Sequence, residues 1–263
     1  MSKNRISILQ NDSVNIVTNL RILDLSLNDI SWLDGIIFRA VSHSLEDLYL
    51  NRNSITVDDL PENVVGQVER LKVLQIHCNR WENSSHGNIF SSIVSLEKIS
   101  MDGLPNATFN NTFSINCRLG RLHIYGAIDI IKNNTFRGVE ICPITELVIK
   151  ATDDLFDVEP NAFSSPHHLQ TLDLSYNTRQ GFANLSKSWF ELSSTNITTL
   201  ILTNIVPRNQ QTVVWSGCSL LGRMQIKSLS LDKNNIVQID GGFYENLPNL
   251  EYLTLAYNRL SYV

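Results

Sequence analysis

Residues 20–30 read Leu-Arg-Ile-Leu-Asp-Leu-Ser-Leu-Asn-Asp-Ile, and this eleven-residue unit recurs along the whole chain. Side chains alternate between the two faces of a β-strand, so Leu23 and Leu25 point to the same side. Leu20 and Ile30 close the same apolar layer from its two ends. One unit cannot bury such a layer alone, whereas stacked units can. The pattern therefore predicts short strands that lie side by side.

Ten units of this kind can be aligned, and position one of each is its first aliphatic residue. The starts are Leu20, Leu45, Leu71, Leu96, Leu119, Ile144, Leu169, Ile197, Ile226 and Leu250. Successive starts lie 23 to 29 residues apart, which is the spacing of leucine-rich repeats. We predict an α/β fold, a single horseshoe-shaped leucine-rich repeat solenoid over residues 1–263. Its concave face carries a parallel β-sheet, and its convex face carries short helices, 3₁₀ turns and loops.

Position nine of most units is asparagine. Its carboxamide is expected to hydrogen-bond the turn backbone of its own and the next repeat. This predicted ladder consists of Asn28, Asn53, Asn79, Asn177, Asn234 and Asn258. Other residues hold the slot in four repeats, namely Leu104, Ala127, Thr152 and Ile205. We therefore expect the region from about 96 to 168 to be less regular than the two ends.

The return half of seven repeats carries a phenylalanine, and we expect these rings to stack beneath the convex side. They are Phe38, Phe90, Phe113, Phe136, Phe163, Phe190 and Phe243. The repeats that start at 169 and 197 are longer than the others and contain Trp189 and the apolar stretch 207–224. We interpret that stretch as a convex packing helix rather than a partner-binding loop.

The net charge and the two ends of the chain limit the classes of protein to which it can belong. A net charge of −5 excludes a broadly basic nucleic-acid face, although a local basic patch is compatible with it. The chain has neither a secretory signal nor an apolar run of about 18 residues. It begins in mid-repeat, with Asn4-Arg-Ile6 as the end of a unit, and stops soon after Leu260. We expect both ends to be truncated and without caps, as in a fragment or an incomplete gene model of a longer protein.

Cysteines and sequons indicate an oxidising compartment. Cys117 and Cys142 each precede a repeat start by two residues, so they lie about one strand spacing apart and can form a disulfide. The alternative is a pair of buried free thiols. Cys78 and Cys218 have no evident mates. Seven asparagines begin glycosylation sequons, namely Asn11, Asn83, Asn106, Asn110, Asn133, Asn184 and Asn196.

The chain resembles the ectodomain of a Toll-like receptor of an invertebrate or divergent type. The resemblance rests on residues 18–30, on Asn161-Ala-Phe163 leading to residues 169–177, and on residues 242–258. It implies an extracellular or endosomal-lumenal part of a membrane protein, held by a span missing from this fragment. It also implies innate immune recognition of a microbial product and dimerisation as a receptor homo- or heterodimer. The alternative is an extracellular adhesion or matrix protein that mediates protein–protein contacts.

Catalysis is not predicted. The chain lacks His-Glu-x-x-His, Gly-x-Ser-x-Gly, a phosphate-binding loop and Cys-x-x-Cys. We therefore expect no enzymatic activity, no cofactor and no metal site.

Positions three, five, seven and eight are expected to face solvent on the concave side, so binding residues should come from them. The candidates are Tyr49, His77, His123, Tyr125, Lys150 and Tyr176. A protein or microbial ligand fits this polar, mixed row, and nucleic acid is not excluded. An unperturbed imidazole gains its proton below pH of about 6.5. For an anionic ligand, we therefore expect binding through His77 and His123 to strengthen as pH falls through that value.

Overall fold

The computed structural model describes residues 1–9, 14, 17–56, 66–80, 90–103, 108–109, 112–113, 116–126, 128–150, 157–178, 192, 195–206, 213–215, 221–239 and 242–261. Its strands in chain order are β1 Ile22–Asp24, β2 Asp47–Tyr49, β3 Val73–Gln75, β4 Lys98–Asp102, β5 Arg121–Tyr125, β6 Ile130–Ile131, β7 Glu146–Lys150, β8 Asp157–Val158, β9 Thr171–Asp173, β10 Thr199–Ile201, β11 Val213–Trp215, β12 Ser228–Ser230, β13 Ile236–Ile239 and β14 Tyr252–Thr254. The 3₁₀ helices are Gly35–Val41, Arg137–Val139 and Leu221–Arg223.

A ten-stranded parallel sheet organises the described residues, in the order β1-β2-β3-β4-β5-β7-β9-β10-β12-β14. Each of these strands begins two residues after a repeat start. The predicted leucine-rich repeat solenoid is confirmed. Position four forms one continuous apolar row through the register, made of Leu23, Leu48, Leu74, Ile99, Leu122, Leu147, Leu172, Leu200, Leu229 and Leu253. The opposite face carries positions three, five and seven and is called the concave face below.

The ladder asparagines bond to their own repeat and to the preceding one, not to the next one. Asn53 Nδ2 donates to the carbonyls of Leu25 (3.0 Å) and Leu50 (2.9 Å). Its Oδ1 accepts from the Ile30 amide at 3.0 Å. Asn258 repeats the arrangement in the last repeat, which contains the terminal strand β14. Each carboxamide therefore satisfies backbone groups on both sides of one repeat junction.

The middle of the sheet is more regular than expected, so that prediction was wrong. Strands β4, β5 and β7 have five residues each, whereas the other seven strands of the sheet have three. These three belong to repeats without asparagine at position nine. Where no carboxamide holds a tight turn, the strand continues to position seven. Repeat eight also lacks the asparagine, yet its β10 has three residues, and Asn204 at position eight has φ 53°.

Position eight adopts left-handed backbone in most repeats, a feature that the sequence reading did not anticipate. The residues are Leu27, Arg52, Cys78, Tyr176, Asn204, Lys233 and Tyr257, with φ between 53° and 66°, and Gly126 with φ 79°. This conformation costs a non-glycine residue roughly 1–2 kcal/mol. The ladder bonds at the next residue offset that cost. The turn sets the side chain of position eight at the edge of the concave face.

The convex side contains phenylalanine stacks and two small sheets. Phe90 stacks on Phe113, and Phe136 lies between Phe109 and Phe163, with ring centroids about 6 Å apart. Strands β6 and β8 pair, as do β11 and β13. Residues 213–215 of the long insertion are thus a strand, and the helix expected for 207–224 is wrong there. Trp189 and Phe190 lie outside the described residues.

The first and last layers are covered to different extents. Residues 1–9 pair with the first repeat: Lys3 N donates to Ser26 O (3.0 Å), and Asp29 N donates to Ile6 O (2.9 Å). Leu25 is fully buried as a result. Leu253 and Leu255 in the last repeat are only partly buried. The expectation that both outer layers are bare is therefore wrong for the first one.

A disulfide joins Cys117 to Cys142, with an S–S distance of 2.11 Å and a Cα–Cα distance of 5.0 Å. It ties the residues that lead into β5 and β7, neighbouring strands of the sheet. Cys78 is a free, exposed thiol. Cys218 lies outside the described residues.

Candidate binding surface on the concave face

The long middle strands place polar side chains from successive repeats in register. Position seven aligns Asp102, Tyr125 and Lys150. Position five aligns His123, Val148 and Asp173 in consecutive repeats. Position three aligns Lys98, Arg121 and Glu146. Because these rows lie side by side on one face, chemically different groups meet within a few strand spacings.

One ion pair and one histidine–carboxylate hydrogen bond cross between neighbouring strands. The Lys150 ammonium contacts the carboxylate of Asp173, which is only 4% exposed as a residue. His123 Nε2 lies 2.5 Å from Glu146 Oε1. Both pairs link β7 to a neighbour in the sheet. Partly buried pairs of this kind hold side chains in one arrangement more firmly than pairs in full solvent.

A contact between two aromatic rings also belongs to this group of residues. The rings of His77 and Tyr125 have centroids 4.4 Å apart and are inclined by 32°. They belong to repeats three and five, whose strands are about 10 Å apart in the sheet. Asp102 of the repeat between them accepts from the amides of Cys78 (2.6 Å) and Asn79 (3.0 Å). The Asp102 carboxylate is thus bonded to the backbone of the neighbouring turn, and the two rings meet across its repeat.

Burial makes His77 a weak base. Burial, with the nearby Arg52 and His123, lowers the pKa of His77 from 6.5 to about 4. Its Nδ1 is buried and makes no hydrogen bond within the described part of the protein. Burial also lowers the pKa of His123, reinforced by Lys98, although the Glu146 carboxylate acts in the opposite direction. The expectation that these imidazoles gain a proton near pH 6.5 is therefore wrong for the free protein.

Burial also shifts the pKa values of Asp102, Tyr125 and Cys78, which lie in or beside the cluster. Burial raises the pKa of the Asp102 carboxyl, and the two amides that donate to it oppose that shift. Burial also raises the pKa of the Tyr125 hydroxyl and of the Cys78 thiol. The uncharged forms of Tyr125 and Cys78 are thus favoured at neutral pH. The site offers aromatic faces and hydrogen-bonding groups more than free charge.

The structure brings four of the six candidate residues together and leaves two apart. His77, His123, Tyr125 and Lys150 form the cluster just described. Tyr49 is the first of the two, and its hydroxyl donates to Asp47 in β2 at 3.4 Å. Tyr176 is the second, at position eight of repeat seven, where Lys233 approaches its ring at 5.9 Å.

Sequence reasoning missed Glu146 and Lys98 as members of the cluster. Both are at position three, which lies on the same face as positions five and seven. A position-by-position count could have included them. Their pairing with particular neighbours could not be counted, because it depends on side-chain rotamers.

Known proteins resemble this chain in sequence and in fold. The sequence profile of the family described as leucine rich repeat matches residues 225–263. Toll-like receptor 3 from Bos taurus is 26% identical over 268 aligned residues, which include 99% of this chain. The chain is a leucine-rich repeat solenoid that is similar to part of a Toll-like receptor. This repeat region spans about a quarter of the bovine receptor, since the alignment covers 26% of its length.

Two solved structures share the fold of this chain. A crystal structure of a TLR13–ssRNA13 complex superposes with a TM-score of 0.58 at 16% identity, over 96% of this chain and 42% of that one. The functional domain of InlJ from Listeria monocytogenes, which includes a cysteine ladder, superposes with a TM-score of 0.52 at 18% identity. That match covers 93% of this chain and 45% of InlJ. At these identities, the two structures support the fold alone.

The leucine-rich repeat domains of Toll-like receptors, to which this chain is similar, are non-enzymatic binding modules. Within the described ranges, His, Cys, Asp and Glu side chains form no group of three suited to a metal ion. Across the same ranges, no helix combines the length and apolar character needed to cross a membrane.

Proposed function

We propose that this chain is the ligand-recognition part of a Toll-like innate immune receptor, and that a microbial product binds the concave cluster of His77, His123, Tyr125 and Lys150. The observation that carries the proposal is the contact network that joins these residues across repeats three to seven. The alignment with bovine Toll-like receptor 3 over nearly the whole chain supports the receptor assignment.

The cluster suits a polar ligand with flat or ring-shaped groups. The His77 and Tyr125 rings provide stacking surfaces, and the His123 and Lys150 pairs provide hydrogen-bonding groups. Lys98 and Arg121 at position three, with Arg52 at position eight, add positive charge around it. Nucleic acid is therefore among the ligand classes to test, and the TLR13 complex contains single-stranded RNA.

Receptor assembly and location belong to the same proposal. A ligand on this face brings two receptors together as a homo- or heterodimer. The disulfide supports an extracellular or endosomal-lumenal location, because such bonds persist in oxidising compartments. Two sequon asparagines, Asn133 and Asn196, are exposed. The sequons at Asn11, Asn83, Asn106, Asn110 and Asn184 lie outside the described residues.

The test compares two ion pairs that span neighbouring strands. Lys150→Met/Asp173→Asn removes the pair inside the cluster and leaves no buried charge without a partner. Lys227→Met/Glu251→Gln removes an exposed pair outside it, whose nitrogen–oxygen distance is 3.0 Å. Surface plasmon resonance against a single-stranded RNA oligonucleotide, a bacterial lipopeptide, peptidoglycan fragments and flagellin measures affinity for wild type and both variants.

We expect at least one of these microbial probes to bind, with about a tenfold loss in the first variant and none in the second. Equal affinity in all three proteins would exclude the cluster as the binding surface. Binding to host cell-surface proteins, and to no microbial probe, would instead support the adhesion or matrix function.

A further inference from the structure

The concave face of the last four repeats differs chemically from the candidate cluster. Its strands β9, β10, β12 and β14 carry hydroxyl side chains where the middle strands carry charges. At position three, Thr171, Thr199 and Ser228 are in register. At position five, Ser230 pairs with Thr254. All five side chains are partly or fully exposed.

These hydroxyl groups retain hydrogen-bonding capacity toward solvent. Thr203 Oγ1 and Ser230 Oγ lie 3.0 Å apart, so one hydroxyl donates to the other. Each hydroxyl has one donor and two acceptor sites, and this contact uses only part of them. The surface can therefore both donate to a ligand and accept from it.

A row of tyrosines borders the hydroxyl surface. Lys233 Nζ lies 5.9 Å from the ring centroid of Tyr176 and 5.5 Å from that of Tyr257. The three residues occupy position eight, where the left-handed turn sets them at the sheet edge. Tyr176 is 39% exposed and Tyr257 is 81% exposed. The row crosses three strand steps, about 14 Å.

The surface is close to electrically neutral. Among the described residues at positions three, five, seven and eight of these repeats, the charged ones are Asp173, Asp232 and Lys233. Asp173 is paired with Lys150 of repeat six. Asp232 accepts from the Ala256 amide at 2.7 Å. Lys233 is held by the two tyrosine rings.

We infer that this surface of hydroxyls and tyrosines binds a neutral oligosaccharide. A sugar ring has an apolar C–H face, which packs on a tyrosine ring, and hydroxyl edges, which exchange hydrogen bonds with Thr203 and Ser230. A polyanion finds one cation here, whereas such ligands bind through many. This surface adjoins the cluster proposed above at β9, where Asp173 pairs with Lys150, but the inference rests on other side chains and does not depend on that cluster.

The experiment measures binding of laminarihexaose, chitohexaose and mannohexaose to the full chain by isothermal titration calorimetry. Tyr176→Ala/Tyr257→Ala removes both stacking faces. Tyr244→Ala is the matched control, because Tyr244 is 52% exposed but lies in the return half of its repeat. Thr203→Val/Ser230→Ala removes the bonded hydroxyl pair. A heparin-derived hexasaccharide tests the requirement for a neutral ligand.

We expect at least one neutral hexasaccharide to bind, with about a tenfold or greater loss in the double tyrosine variant. The hydroxyl variant loses affinity as well, and Tyr244→Ala does not. Circular dichroism of each variant establishes that it is folded. Absence of binding by all three neutral sugars overturns the inference. So does tighter binding of the sulfated hexasaccharide, or an equal loss in the Tyr244 variant.

Discussion

The middle and outer repeats differ in the length of their strands and in the contacts that stabilise them. In the outer repeats an asparagine at position nine bonds to two carbonyls, and the strand ends after three residues, as β2 does before Asn53. In repeats four to six that asparagine is missing, and β4, β5 and β7 extend to five residues. Side-chain amides thus organise the outer repeats, while backbone ladders and cross-strand pairs organise the middle ones. The polar cluster occurs where the strands are long.

The largest expected effect concerns the disulfide that joins the middle repeats. Cys117→Ser/Cys142→Ser is expected to lower the free energy of unfolding by about 3 kcal/mol, because the bond closes a loop of about 25 residues. Urea denaturation followed by circular dichroism measures the change. The control is Cys78→Ser, which alters an exposed free thiol. If the control lowers the urea midpoint as much as the double variant does, the disulfide is not what stabilises the middle.

A second prediction concerns the asparagine ladder of the outer repeats. Asn234 is fully buried, donates to Leu202 O at 2.7 Å and accepts from the Ile205 amide at 2.8 Å. Asn234→Ala is expected to cost about 2 kcal/mol, since it leaves both backbone groups without that partner. Asn249→Ala is the control, because Asn249 is exposed and makes a side-chain bond to Gln225. Equal urea midpoints for the two variants would contradict the role assigned to the ladder.

The expected loss of stability differs between the ladder asparagines. Asn53 is partly exposed, so Asn53→Ala is expected to cost about 1 kcal/mol, less than the change at Asn234. Ser54→Ala, next to it, should change the urea midpoint little. The same denaturation experiment ranks all three variants.

A third prediction sharpens the role of cross-strand pairs in the middle. Lys150→Met leaves the buried Asp173 carboxylate without its cation and is expected to cost about 1 to 2 kcal/mol. Adding Asp173→Asn should restore most of that loss, and a double-mutant cycle gives the coupling energy. Lys227→Met breaks a pair whose side chains are 56% and 53% exposed, so it should cost little. A coupling energy near zero for Lys150 and Asp173 would remove the distinction.

The smallest expected effect is a pH dependence. Burial lowers the pKa of His77 to about 4, whereas in the unfolded chain it is 6.5. The unfolded state therefore binds the proton first, so the stabilising contribution is present above pH 6.5 and is lost as pH falls toward 4. His77→Phe should remove about 1 kcal/mol of this dependence, an amount reduced for partial exposure of the ring. Thermal unfolding of both proteins at pH 7.5 and pH 5 measures it, and parallel slopes would contradict it.

Much of the fold follows from the recurring unit, and the reasons are local. Leu23, Leu48 and their equivalents alternate with polar residues, and that alternation is enough to locate every strand of the main sheet. The length of β4, β5 and β7 was misjudged because a missing asparagine was interpreted as disorder in the pattern. In fact its absence removes a turn and lets the ladder continue. The left-handed backbone at position eight could have been predicted from Gly126 and Asn204, because glycine and asparagine favour this conformation.

The candidate site was harder to predict than the fold. Position counting located His77 and Tyr125 on the right face, but it gave no reason for their rings to meet across an intervening repeat. That contact depends on side-chain rotamers, and the Asp102 carboxylate of the intervening repeat bonds to the backbone of the neighbouring turn. The shifts in the pKa of His77 and His123 depend on burial, which a single sequence does not reveal. Long-range side-chain arrangement, not strand position, limited the prediction.

The bond between Cys117 and Cys142 also decides what happens if a protease cleaves this chain. Arg137 is exposed at the start of a 3₁₀ helix, between the two cysteines. Hydrolysis of the peptide bond after Arg137 yields two polypeptides that stay covalently joined, because the disulfide spans the cleaved bond. The strands on either side, β5 and β7, also remain paired through five residues each. A cleaved molecule therefore keeps its concave face until a reductant separates the two pieces.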